Sequence, residues 1–371
     1  MTDPLAQMSG QPLWVMAKGY APDEGGMQTY AQGVAEAWAG AGAQVTVFTQ
    51  TSLGPRRERI GDISLIDIGP GKSPTVPLRF LRAMRAERRA SGAPHFVHGT
   101  TWRTAMLPMV MGLPYAVTFH GREFMADGIA RRAVQAVARR AKAVVAVSHY
   151  TRQRLLQRLA GAGPDPIVAW NGLSTPPPSS TPAPGGDVPL LFSLCRLEPR
   201  KNVAAAVRAC AALHREGFAF RYVIGGRGPE LARIGALVNE LGLADVVEVA
   251  GFLDSSRVTE LHARARIFLH PQVEVEDGRD FEGFGITIAD AMAAQTAVIV
   301  GDSGGTPELI EQGVTGLIVD GTRDDDVTEA LRSLLTDSAR CEAMAAAAHD
   351  HALKTFRWDR HVRLIAAAVS G

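Results

Sequence analysis

His270-Pro-Gln-Val-Glu-Val-Glu-Asp-Gly-Arg-Asp-Phe-Glu-Gly-Phe-Gly-Ile-Thr-Ile-Ala-Asp-Ala-Met292 is the stretch on which the fold turns. Ile267, Phe268 and Leu269, just ahead of it, read as the end of a buried strand. An acidic loop follows, and then Glu282-Gly-Phe-Gly285 opens a helix expected over 284–294. Gly283 and Gly285 let the backbone approach a ligand closely. The first turn of the helix offers unpaired N–H groups and the positive end of a dipole, which together attract an anion. Glu282 stands just before this helix and Asp290 two turns inside it. At 3.6 residues per turn an eight-residue step returns to nearly the same face. One loop and one helix would then present a carboxylate, an anion-binding helix end and a second carboxylate along a line. The competing reading is an acidic surface loop leading into an amphipathic core helix, and a short match alone does not decide between them.

Around that stretch the second half of the chain alternates short apolar runs with helical patterns. Strands are expected over 190–194, 220–224, 246–249, 267–269 and 297–300, with helices over 203–216, 229–241 and 255–265 between them. The first half has the same rhythm, with strands over 12–18, 45–49, 63–68, 96–97, 115–119 and 143–147, most of them followed by a helix. Such alternation specifies α/β architecture, with a parallel sheet covered on both faces. Residues 175–189 are dense in Pro, Ser and Gly and read as a linker. The chain thus divides into a first domain over 1–185, a second over 186–355 and a final helical segment over 356–371. With 371 residues it is too long for one ordinary core.

A hydrophobic fraction of 46% and a charged fraction of 21% exclude a disordered or membrane-embedded chain. No apolar run is long enough to span a bilayer, and residues 1–10 lack the pattern of a secretory leader. Cys195, Cys210 and Cys341 have neither metal-type spacing nor an even number, so each reads as a small packed side chain in a cytosolic protein. The overall charge of +1 hides an asymmetry: residues 1–185 carry 20 Lys/Arg against 11 Asp/Glu, and residues 186–371 carry 19 against 27. A basic half points to an anionic partner.

In parallel sheets ligands sit beyond the carboxyl ends of the strands. Gly25-Gly26, His120-Gly-Arg-Glu123, Arg196 and Lys201, Gly225-Gly-Arg-Gly228 and Val249-Ala-Gly-Phe-Leu253 all fall there. Arg196 and Lys201 could neutralise a diphosphate and stabilise it as it leaves; otherwise they are a solvated loop with an ion pair to Glu198. Gly25 and Gly26 precede a helix and would bring amides to the same anion, or are a plain turn. Gly225-Gly-Arg-Gly228 lacks the glycine spacing of a dinucleotide fingerprint. His120 at a strand end is most often a satisfied polar group, and no second His or Cys lies at metal-ligand spacing from it. Glu274, Glu276, Asp277 and Asp280 lack the order of a calcium loop and read as solvated.

Taken together, Glu282 with Asp290, Gly25-Gly26, Ser193-Leu-Cys-Arg-Leu-Glu-Pro-Arg-Lys-Asn202, Gly225-Gly-Arg-Gly-Pro-Glu230 and Gly304-Gly-Thr-Pro-Glu308 resemble, in order, the retaining GT-B glycosyltransferases of family 4, also called glycosyl transferases group 1. The resemblance covers nearly the whole chain. It departs at Asp290, where the family has Glu, and at Cys195, where it has Gly. It implies two doubly wound, Rossmann-like domains facing each other across a cleft, an acceptor-binding first domain, and a nucleotide-sugar-binding second domain. The final helix, anchored by Phe356 and Trp358, would cross back onto the first domain. The donor would be a nucleotide-diphosphate sugar, UDP-linked, with no metal and no further cofactor. The implied roles are Glu282 orienting the sugar, Asp290 holding the ribose, and Arg196 and Lys201 stabilising the leaving group. His120 would line the reacting face, with Gly25, Gly26, Arg227, Phe252, Leu253, Gly283, Phe284 and Gly285 around the donor. The acceptor would be a hydroxyl of a glycan, a lipid or a small molecule, not nucleic acid. An epimerase or phosphorylase on the same fold, or a non-catalytic carbohydrate- or lipid-binding subunit, is the alternative.

Two Arg-rich helices stand out in the basic half. One, over 78–90, carries Arg79, Arg82, Arg85, Arg88 and Arg89; the other, over 131–142, carries Arg131, Arg132, Arg139, Arg140 and Lys142. Cations at steps of three or four beside Leu, Phe and Met form a basic stripe, the pattern of a helix lying on an anionic membrane surface. Peripheral attachment to the inner face of the cytoplasmic membrane is one reading, and an ordinary solvated face the other.

Overall fold

The computed structural model describes residues 3–71, 74–174 and 188–370, so most of the expected linker lies outside the described residues. The chain forms two compact units, Met1–Thr175 with Arg357–Gly371, and Pro176–Phe356.

In the first unit eight strands form one sheet: β1 (Pro12–Met16), β2 (Gln44–Thr49), β3 (Pro55–Ile60), β4 (Ile63–Ile68), β5 (Phe96–Gly99), β6 (Tyr115–Phe119), β7 (Ala143–Ala146) and β8 (Ile167–Val168). Their order is β3-β4-β2-β1-β5-β6-β7-β8, and every pairing is parallel except β3 with β4. The central strands are apolar runs buried on both faces, as in the fully buried Tyr115-Ala-Val-Thr-Phe119. That burial is why they were legible. Strand β3, Pro-Arg-Arg-Glu-Arg-Ile, was not expected: it is mostly exposed, and its charges suit an edge that must not pair with another chain.

The second unit has six strands: β9 (Leu190–Leu194), β10 (Arg221–Gly225), β11 (Val247–Gly251), β12 (Ile267–His270), β13 (Ala297–Gly301) and β14 (Leu317–Val319). They are ordered β11-β10-β9-β12-β13-β14 and are all parallel. The order reverses between β9 and β12, and such a reversal opens a crevice at the carboxyl ends of the strands.

The expected last helix is present as Trp358–Ser370 and packs within the first unit, burying His361, Val362, Ile365 and Ala366. Trp358 lies flat against Gly33 and Gly172, where any side chain would collide with its indole, and its Nε1–H donates to the Leu173 carbonyl at 2.6 Å. Phe356 does not share that anchoring. Its ring packs edge-on to Phe284, 5.7 Å away in the second unit. No helix among the described residues is long and apolar enough to cross a membrane.

Candidate active site

The carboxyl edge of the second sheet gathers most of the residues singled out by sequence. After β9 the chain makes a one-turn helix, Pro199–Lys201, and Asn202 takes a left-handed conformation before the helix Val203–Arg215. Asn202 is tied down by its amide, which donates to the carbonyls of Pro271 and Gly321 at 2.9 and 2.6 Å. This geometry turns Lys201 inward. Its ammonium is buried, ion-paired to the Glu282 carboxylate and 3.5 Å from His270 Nε2. Burial pushes the Glu282 carboxyl up, but the Lys201 charge, the His270 hydrogen bond and the Arg200 guanidinium outweigh it and hold the group well below the usual carboxylate range. Burial, with the Lys201 charge, pushes His270 down to about 4, so its ring is neutral. His270 ends β12, directly across the strand-order reversal from β9, and nothing in the sequence distinguished it from a core residue.

Arg196 is placed differently. Its side chain is 74% exposed and lies 3.1 Å from Glu198 Oε1. Glu198 also pairs with Arg200, whose Nε is 3.6 Å from the buried Asp280. The acidic loop is therefore not simply solvated. It is a small hairpin closed by a bridge between Val275 and Asp280 and turned by left-handed Glu276, Asp277 and Gly278. Glu276 and Asp277 are exposed, whereas Asp280 faces inward because Arg200 offers it a counter-charge.

The helix after Glu282-Gly-Phe-Gly starts later than expected, at Ile286, and ends at Ala293. Gly285, at φ 96°, is its cap, and that left-handed residue stops the helix from reaching back to Glu282. The eight-residue helical spacing between Glu282 and Asp290 therefore does not hold; Asp290 lies just over one turn inside and is 5% exposed. Phe284 turns its ring into the core, which leaves its backbone as the part available to a ligand. The Glu282 backbone is held from the next loop: the Gly305 N–H donates to its carbonyl at 2.8 Å, and a side chain at Gly304 (φ 74°) would overlap that carbonyl. Gln272, fully buried, ties the same loop down. Its amide donates to the Gly301 carbonyl at 2.8 Å and to Thr306 Oγ1, and its oxygen accepts from the Gly301 N–H. This brace, too, was missed by sequence reading.

On the other side of β9, the Leu197 N–H donates to the Arg227 carbonyl at 2.9 Å. Gly226, at φ 130°, leaves no room for a side chain against the Cys195 carbonyl oxygen. The Arg227 guanidinium lies 4.5 Å over the ring of the half-exposed Phe252, a cation–π contact. Leu253 packs on Gly225. Of the stretch 249–253, Val249, Ala250 and Gly251 belong to β11, and the Gly251 carbonyl accepts from the Gly226 N–H at 2.6 Å.

In the first unit Gly25 and Gly26 are exposed at the start of the helix Gly26–Gly40. His120 follows β6. Its Nε2 is 2.8 Å from the Thr100 carbonyl, its backbone N–H donates to Glu123 at 2.7 Å, and burial pushes its ring toward the neutral form. The Arg-rich helices run Thr75–Ser91 and Ile129–Arg140. Arg82, Arg85, Arg88 and Arg89 on the first, and Arg132, Arg139 and Arg140 on the second, are exposed. Leu78 and Ile129 stand out beside them at 58% and 85% exposure.

Residues 181–351 match the family described as glycosyl transferases group 1, and residues 24–175 match glycosyltransferase family 4. The chain is 31% identical over 308 residues to the GDP-mannose-dependent alpha-(1-6)-phosphatidylinositol monomannoside mannosyltransferase of Mycobacterium tuberculosis, covering 77% of each chain. In structure it is similar to a sucrose-phosphate synthase from Thermosynechococcus elongatus, with a TM-score of 0.81 at 20% identity over 97% of this chain and 98% of that one. It is also similar to Anabaena HepE in complex with UDP and glucose, with a TM-score of 0.75 at 16% identity over 97% and 100%.

Proposed function

The chain is a GT-B glycosyltransferase of family 4, and on that premise we propose that it moves a sugar from a nucleotide-diphosphate sugar to an acceptor hydroxyl with retention at the anomeric carbon. The observation that carries the reading is the buried Lys201–Glu282 pair at the strand-order reversal of the second sheet, beside the Gly285 helix end. Three groups that a sugar diphosphate needs lie within one loop system: a fixed carboxylate, a cation and an amide-bearing helix terminus.

In the proposed reaction the acceptor oxygen bonds to the anomeric carbon on the face from which the diphosphate leaves. The bond between that carbon and the diphosphate oxygen breaks, and the acceptor proton passes to the departing diphosphate. Glu282, ionised and clamped, accepts hydrogen bonds from sugar hydroxyls. Arg196, exposed and ion-paired to Glu198, and Lys201 stabilise the leaving charge without a metal. Asp290 holds the ribose, and Arg227 with Phe252 flanks the base. Gly25, Gly26 and His120 are assigned a part in binding the donor on the family resemblance alone.

GDP-mannose is the donor we propose first, supported by the donor named for the mycobacterial relative. A UDP-linked sugar, favoured by the sequence reading, is the second. A lipid-linked acceptor is supported by the exposed Leu78 and Ile129 beside exposed arginines, which suit an anionic bilayer surface. The test is calorimetric titration with GDP, UDP, ADP and dTDP in the presence of a chelator, on the wild type and on Arg196→Ala. Tight binding of one nucleotide, weakened in the variant, supports the donor site; no binding of any of them would overturn it. Vesicle binding that ignores both salt and lipid charge would remove the membrane component.

A further inference from the structure

The first unit contains a buried polar cluster that the donor-site reading leaves unused. Tyr30, on the helix Gly26–Gly40, is fully buried. Its hydroxyl lies 2.7 Å from Thr118 Oγ1, 3.2 Å from His98 Nε2 and 3.0 Å from His361 Nε2. These partners come from β6, β5 and the last helix, so four separate segments meet at one oxygen.

The proton positions follow from the partners. Trp38 Nε1–H can only donate, and it points at His98 Nδ1 at 3.3 Å. His98 Nδ1 is therefore bare, and the neutral ring carries its proton on Nε2, toward Tyr30 and Thr118. The Trp170 carbonyl can only accept, and it lies 3.0 Å from His361 Nδ1. His361 therefore carries its proton on Nδ1, and its bare Nε2 lies 3.0 Å from the Tyr30 hydroxyl, whose own proton is donated to Thr118 Oγ1. Burial holds both rings neutral, pushing His361 down to about 4 and His98 well below its ordinary value. The Tyr30 ring is thus fixed at its far end in one orientation.

That ring packs against His120. The two ring centroids are 4.5 Å apart and the planes are nearly perpendicular, at 84°. His120 Nε2 faces the Thr100 carbonyl, so the neutral ring is protonated there and Nδ1 is the nitrogen left to accept. Glu123, which accepts from the His120 backbone, is the charged group beside it.

We propose that Tyr30 is a positioning residue for His120, and that His361 on the last helix holds Tyr30 in place, so that His120 presents Nδ1 as an acceptor for a sugar hydroxyl. The last clause rests on the reading that His120 faces the donor; the positioning itself does not.

The experiment is histidine-ring nitrogen NMR on the full chain, with GDP-mannose turnover measured alongside. Wild type shows His120 as a single Nε2–H tautomer. Tyr30→Phe keeps the aromatic wall but cuts the hydroxyl contacts to His361, His98 and Thr118, and shifts the His120 signal in the same direction as His361→Gln. Tyr30→Leu removes the wall and gives an averaged His120 signal, and kcat falls at least about tenfold with little change in KM. His361→Gln, the second variant should Tyr30→Leu not fold, shifts the His120 signal in the same direction. A folded Tyr30→Leu or His361→Gln protein with the wild-type His120 signature would overturn the proposal. His120→Ala separates the two ideas: full turnover there refutes a sugar contact at His120, whereas the NMR outcome alone decides whether Tyr30 positions it.

Discussion

The Lys201 ammonium and the Glu282 carboxylate, 81 positions apart in the chain, meet as an ion pair beside His270 where the second sheet reverses its strand order. Each would be costly to bury without the other. Lys201→Met leaves a carboxylate in a site with little water and should destabilise the second unit by about 3–5 kcal/mol. Adding Glu282→Gln should recover most of that loss in urea unfolding while leaving turnover at the floor. A double variant no more stable than Lys201→Met would show that the pair is not the structural link described.

Gly33→Ala carries a prediction of sign. In an open helix interior this change stabilises by about 1 kcal/mol. Here the added methyl would stand 2.6 Å from Trp358 Cδ2, so the variant should lose about 1–3 kcal/mol. Gly235→Ala, in a helix with open space at that position, should instead gain stability. Thermal unfolding of the two variants checks both signs.

Acid should destabilise the first unit through its buried histidines. His361 has an ordinary value of 6.5 when unfolded and about 4 when folded, and His98 and His120 are depressed in the same direction. The unfolded chain therefore binds more protons as pH drops, and their contribution is complete above pH 6.5 and is lost as pH falls toward 4. The melting temperature followed from pH 7.5 to 4.5 should fall along this window, with a shallower slope in His361→Gln.

Gly226→Ala should damage the donor edge without touching a charged residue. At φ 130°, with no room against the Cys195 carbonyl, the new methyl must separate the 195–197 loop from the 225–228 loop. Nucleotide affinity measured by calorimetry should drop at least about tenfold, since the loop carrying Arg196 moves with it.

The sheets were readable because strands buried on both faces are apolar along nearly their whole length, as β7 and β13 are. Strand β3 was not, because an edge strand of alternating arginines and glutamate looks like any solvated loop. Glu282 and Lys201 were visible as motif residues. Their mutual contact was not, since it depends on the left-handed turn at Asn202 and on the pairing of β9 with β12. Gln272 and His270 escaped for a related reason: their roles are set by which loop the next strand delivers beside them. The late start of the helix at Ile286 follows from Gly285, whose freedom was recognised while its effect as a helix stop was not.

The placement of the last helix has a consequence for the order in which the protein is made. The Tyr30 hydroxyl waits for a partner 331 residues downstream, and the slot formed by Gly33 and Gly172 waits for Trp358. The second unit, continuous over Pro176–Phe356, closes its core from its own segment. In chain order, every residue of the second unit therefore precedes the helix that closes the seam along Gly26–Gly40. The helix Trp358–Ser370, which follows the second unit in the chain, seals that seam.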